Sequence, residues 1–130
     1  MTNKEIVQTA FENFTKGNIP AILEMLSDDV TWEFNGPSIV PFAGTRKGKE
    51  GALDFFTKLG TSSDVTSFIP KEYIAEGDRV IAIGEATATA RETGKVAFNK
   101  WVMAWTFKDG KVTHYHNYSD TYDLAQSFMN

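Results

Sequence analysis

The chain has 130 residues, 42% of them hydrophobic and 13% aromatic, with no cysteine and a formal net charge of −4 at pH 7. That length fits one domain, residues 1–130, able to bury roughly two-thirds of its unfolded surface. The acidic balance without a basic run argues against nucleic acid and membrane surfaces as partners. The lack of cysteine removes disulfides, thiolate chemistry and Cys-bound metals. With no basic-then-apolar leader and no run of roughly 20 apolar residues, a cytoplasmic location is the expectation.

In chain order, Thr2 and Glu5 fit a capping box, and Ile6, Val7, Ala10, Phe11 and Phe14 follow at helical spacing. Gly17 closes this first helix. Asn18 caps a second, with Pro20 in its first turn and Ile22, Leu23, Met25 and Leu26 turned inward. Ser27-Asp28-Asp29 breaks it, and residues 30–34 alternate as a strand with Val30, Trp32 and Phe34 on one face. The stretch from the Asn35-Gly36-Pro37 turn to Gly48 reads as a loop. Its apolar Ile39, Val40 and Phe42 suggest a lid, and its Arg46 and Lys47 read as surface charges. Lys49 to Leu59 is a third helix closed by Gly60. The period then changes, giving strands at about 65–75, 79–91, 96–107 and 111–119 joined by short Gly-containing turns, and a short final helix from Thr121.

On the second of these long strands Val80, Ala82, Gly84, Ala86, Ala88 and Ala90 form a face of small residues. On the third, Ala97, Asn99, Trp101, Met103, Trp105 and Phe107 share a face. On the last, Val112, His114, His116, Tyr118 and Asp120 share one face, and Thr113, Tyr115, Asn117 and Ser119 the other. Helices in the first half and a long-stranded antiparallel sheet in the second make an α+β fold with helices on one face. Strands this long bend, and a bent sheet covered by helices makes a cone with a pocket.

The element order, with the Leu26 to Phe34 segment, the Pro41-Phe42-Ala43-Gly44 loop, Trp105 to Val112 and Tyr118-Ser119-Asp120-Thr121, resembles the nuclear transport factor 2-like superfamily. Within it, the chain resembles the SnoaL-like polyketide cyclase and ketosteroid isomerase-like group. The resemblance implies a cone-shaped fold and pairing of two copies through the outer face of the sheet. It does not imply ketosteroid isomerase chemistry. Aligned by spacing, that enzyme's base, tyrosine and aspartate fall on Phe34, Ala10 and Met103, which cannot perform those roles. SnoaL-like cyclases work without a cofactor and use one aspartate near the end of the last strand, a place that Asp120 matches.

The expected function is therefore cofactor-free acid/base chemistry on a small apolar molecule in the cone, as an aldol cyclase, isomerase or related enzyme. The alternatives are a non-catalytic binding module and a protein-interaction domain of the same fold. Asp120 is the candidate acid/base, made usable at neutral pH if an apolar pocket raises its pKa; capping the final helix is its structural alternative. His116 is its candidate partner. Trp32, Phe34, Phe42, Phe56, Trp101, Met103 and Tyr118 are expected pocket wall, and Asn99 a polar anchor. His114 and His116 have the spacing of a His-x-His metal site. With no third ligand evident besides Asp120, and Glu33 opposite Trp32 read as solvated, no metal is expected.

Overall fold

The computed structural model describes Met1–Asn130. Helix α1 (Asn3–Thr15) opens on the expected capping box: the Thr2 hydroxyl accepts from the Glu5 N–H at 3.1 Å, and the Glu5 carboxylate accepts from the Thr2 N–H at 2.9 Å. Gly17, with φ 74°, supplies the left-handed turn that ends it. Helix α2 (Ile19–Glu24) follows with Asn18 as its cap. Leu26 does not continue this helix. It opens β1 (Leu26–Phe34), because the Met25 carbonyl and Leu26 already pair with Val112 at the far end of the chain. Ser27 to Asp29 form an irregularity inside that pairing and not a break before it.

The loop reading of residues 37–48 missed β2 (Gly44–Lys47), an edge strand antiparallel to β1. Four polar or small residues carry no apolar period by which to find it. Then come α3 (Gly48–Ser62), β3 (Ser63–Glu76), β4 (Arg79–Ala90), β5 (Val96–Lys108), β6 (Lys111–Ser119) and α4 (Thr121–Ser127). One six-stranded sheet results, in the order β2-β1-β6-β5-β4-β3, with β1 and β6 parallel and every other pair antiparallel.

Register shifts in β3 between Val65 and Ser67 and between Pro70 and Glu72 mark bulges, which bend a strand. Pro70 is tolerated because β3 is an edge. The concave face carries the small-residue row of β4 and the aromatic row of β5 that the sequence placed together: Val80, Ala82, Trp101, Met103, Trp105 and Phe107 are all buried. Small residues on β4 are needed there. A Cβ at Gly84 would stand 2.4 Å from Trp101 Cζ2 and 2.5 Å from the Ile69 carbonyl, so only glycine lets that indole lie on the sheet. Helices α1 to α3 cover this face, and α4 packs on β5. This is the α+β cone of the NTF2-like fold.

Candidate functional site

Helices and sheet do not close completely. A cavity of about 100 Å³ remains between them, lined by 22 residues of which 20 are hydrophobic. It is small beside the roughly 300–1,000 Å³ of pockets for drug-sized ligands. Its wall is assembled from every layer: Phe11 and Phe14 of α1, Phe55, Phe56 and Leu59 of α3, Phe68 of β3, Trp101, Met103 and Trp105 of β5, and Leu124 of α4. Trp32 lies flat on Tyr115, ring centroids 3.8 Å apart at 16°, and Trp105 meets both edge-on. Trp101 stacks on Phe68 at 5.0 Å. Among the expected wall residues, Trp32, Phe34, Phe42, Phe56, Asn99, Trp101 and Met103 do face this cavity. Phe42 reaches it because the loop folds inward: of its three large apolar residues, Val40 and Phe42 are buried and Ile39 is exposed.

The loop is held by a residue that the sequence reading left on the surface. The Arg46 side chain is only 12% exposed. Its guanidinium donates to the Phe42 carbonyl at 2.9 Å, the Ala43 carbonyl at 3.4 Å and the Pro41 carbonyl at 3.5 Å, and pairs with Asp54 of α3 at 3.0 Å. The Arg46 hydrogen bond, followed by that of Lys58, holds the Asp54 carboxyl below its usual range.

The expected acid/base pair is placed elsewhere. On β6, Tyr115 and Asn117 point into the cone, while His116 and Tyr118 project from the convex face. The reason is a bulge at Thr113: Phe107 pairs with Val112, and Thr106 with His114. Val112 is thereby buried on the side opposite the histidines with which simple alternation grouped it. His116 meets Asn35 at 2.8 Å, and Tyr118, 47% exposed, stacks on it at 4.1 Å. Asp120 is exposed and caps α4, its Oδ1 accepting from the Asp123 N–H at 3.2 Å. It is not among the residues that line the cavity.

The polar groups that do face the cavity are neutral. Asn99 Oδ1 accepts from the Asp120 N–H at 3.2 Å, which turns its NH₂ into the free donor. Asn117 is 2% exposed, and its Oδ1 has no hydrogen-bond partner; the Nε1 atoms of Trp32, Trp101 and Trp105 are likewise unpartnered. Burial pushes the Tyr115 hydroxyl well above the ordinary tyrosine range, with hydrogen bonding from Asn117 working weakly against it. Tyr115 thus stays a protonated donor at any physiological pH. Sequence reasoning missed Tyr115 and Asn117, although their alternation with the histidines named them as the opposite face. The discriminating signal, a β5 row of aromatic partners facing them, lies in the pairing of the strands.

The comparisons agree with this architecture. Residues 7–115 match the SnoaL-like domain family. Patulin synthesis protein F of Aspergillus clavatus is 32% identical over 114 residues, covering 81% of this chain and 58% of its own length, so the chain spans little more than half of that relative. Among solved structures, an NTF2-like protein of Burkholderia xenovorans LB400 superposes with a TM-score of 0.88 at 29% identity, covering 98% of this chain and 95% of that one. TerC, crystallised with polyporic acid, gives 0.84 at 27% identity, covering 97% of each. No helix here is long and apolar enough to cross a membrane. By fold, cavity and family match together, the chain belongs to the SnoaL-like domain family.

Proposed function

We propose that the cone binds one small, uncharged, largely apolar molecule carrying ketone or hydroxyl oxygens, and rearranges it by proton transfer without a cofactor. The observation that carries this reading is the wall itself: aromatic on nearly every side, with no ionisable side chain but Tyr115, and with Asn99 and Asn117 as its other polar groups. An aromatic slot favours a flat, unsaturated ligand. An unpaired buried amide oxygen costs about 1–3 kcal/mol, and a ligand hydroxyl donating to Asn117 Oδ1 would remove that cost. A ketone oxygen received by the Tyr115 hydroxyl would be stabilised as it gains enolate charge, because a neutral donor fixed in a dry site acts without reorganisation. A wall without a carboxylate or imidazole leaves proton acceptance to the substrate itself: one of its oxygens takes the proton that leaves carbon or hydroxyl while a proton is delivered to the ketone oxygen, so none is gained or lost overall. Keto–enol shifts and intramolecular ring closure or opening are of that kind. The name of one relative ties it to patulin synthesis, and another was crystallised with polyporic acid, which fits a small-molecule role for this cavity.

Three indoles line the cavity, so ligand binding should quench tryptophan fluorescence. The test is a panel of cyclic enones and quinones, each paired with a carboxylate-bearing analogue, followed by product analysis. Neutral members should bind and charged ones fail. Tyr115→Phe should lower turnover by about 10²-fold or more, and unchanged turnover in Tyr115→Phe/Asn117→Ala would sink the assignment. Recovery of every bound compound unaltered would instead favour a binding module. We also infer that two copies pair through the convex sheet face, on which Ile69, Ile74, Val96 and Phe98 are each at least half exposed.

A further inference from the structure

The convex side of the sheet carries the chain's only two histidines, and neither takes part in the cavity. Because β1 and β6 run parallel with Glu33 opposite His116, the Glu33 carboxylate lies between both imidazoles. Oε1 stands 2.7 Å from His114 Nε2, and Oε2 stands 3.8 Å from His116 Nε2. The rings lie side by side, 15° from parallel with centroids 6.0 Å apart, and the Nε2 atom of each is turned toward the Glu33 carboxylate. Tyr118 backs His116 from the other side at 4.1 Å. All three donor atoms fall within 4.8 Å of one another.

We propose that Glu33, His114 and His116 form a binding site for one divalent transition-metal ion of the zinc type. Two imidazoles and one carboxylate are the donor set that borderline ions take, whereas magnesium and calcium take oxygen. Around a tetrahedral ion with bonds of roughly 2.0–2.1 Å, donor atoms stand about 3.3 Å apart. The two carboxylate–imidazole separations, 2.7 and 3.8 Å, bracket that value, and with all donor atoms within 4.8 Å of one another the remaining adjustment is a rotation of the side chains. Part of the site is already ordered: strand pairing fixes the three Cα positions, and stacking fixes the His116 ring. Asn35 Oδ1, 2.8 Å from His116 Nε2, is placed to serve as a fourth donor or to hold a bound water. Such an ion would clip together the one parallel pair of the sheet, and it is independent of what occupies the cone.

The experiment uses the untagged full chain, stripped with a chelator and titrated with Zn²⁺ in competition with a chromophoric chelator at neutral pH. Binding of one ion per chain is expected, unaffected by excess Mg²⁺. The imidazole proton resonances of both histidines should shift together in the NMR spectrum. His114→Ala, His116→Ala and Glu33→Gln should each weaken binding by no less than the roughly 10–100-fold that loss of an outer-shell partner costs. These side chains lie on the convex face outside the apolar core, so metal-free Tm and circular dichroism should stay near wild type. Absence of uptake, displacement by Mg²⁺, movement of only one histidine, or equal uptake by the His114→Ala/His116→Ala double variant would each overturn the assignment.

Discussion

Tyr115 combines a structural and a chemical demand in one side chain. Its ring supports Trp32 and Trp105, and its hydroxyl is the only ionisable group in the cavity wall. Burial raises its pKa, so the folded chain keeps the proton under conditions in which the unfolded chain, ionising at the ordinary value of 10.0, gives it up. Stability from this group is therefore complete below pH 10 and declines as pH rises beyond it. Urea unfolding from neutral to about pH 11 should show that decline in the wild type and a shallower one in Tyr115→Phe. Asp120 invites the opposite expectation. Its carboxylate caps α4, so Asp120→Ala should cost about 1 kcal/mol while Asp120→Asn, an equally good cap, stays close to wild type in Tm and turnover. A collapse of turnover in the asparagine variant, with ligand binding intact, would return the catalytic role to the carboxylate. Alternation along β6 correctly separated two sets of residues, yet nothing within that segment says which set faces inward. Only the Thr113 bulge and the facing β5 aromatics decide it.

At the scale of elements, the cavity depends on a loop and on one missing side chain. Arg46 ties three carbonyls of the loop to Asp54 on α3, and so holds Phe42 against Phe34 and Phe55. Arg46→Met keeps the aliphatic stem and removes the donors. Limited proteolysis should then cut within residues 37–43 faster than in the wild type, and affinity for cavity ligands should fall; an unchanged cutting pattern would show that packing alone holds the loop. Gly84→Ala probes the sheet. The added methyl cannot coexist with Trp101 in its present place, so the variant should lose about 1–3 kcal/mol in denaturant unfolding and its altered indole packing should change the fluorescence spectrum. The lid character of the loop was legible from three apolar residues among turn formers. The role of Arg46 was not, because carbonyls carry no sequence identity. Gly84 was legible only as a member of a small-residue row, with Trp101 unassigned as the group that required it.

For the whole molecule, local patterns carried the order of the helices and long strands and the α+β cone, since each of these leaves its own period, whereas the short β2 does not. They could not carry the parallel pairing of β1 with β6, which joins segments some eighty positions apart and leaves no local mark. Glu33 therefore read as an isolated solvated residue, although the fold sets it between two histidines. The convex sheet face poses the remaining question at this scale. Ile69, Ile74, Val96 and Phe98 are 51%, 55%, 63% and 50% exposed there, on strands β3 and β5 that flank β4. Scattered apolar residues on a surface need no explanation, whereas several that share one sheet face suit an interaction surface. The proposed pairing of two copies through this face makes a direct prediction for sedimentation equilibrium. The wild type should sediment as twice the chain mass, and Ile74→Lys/Phe98→Lys as a single chain, because two buried and unpaired ammonium groups per copy would oppose contact. Cavity ligands should still quench the tryptophans of that monomeric variant, since none of its changes touches the cone. A wild type that stays a single chain at the highest attainable concentration would remove the pairing and leave the cavity assignment as it stands.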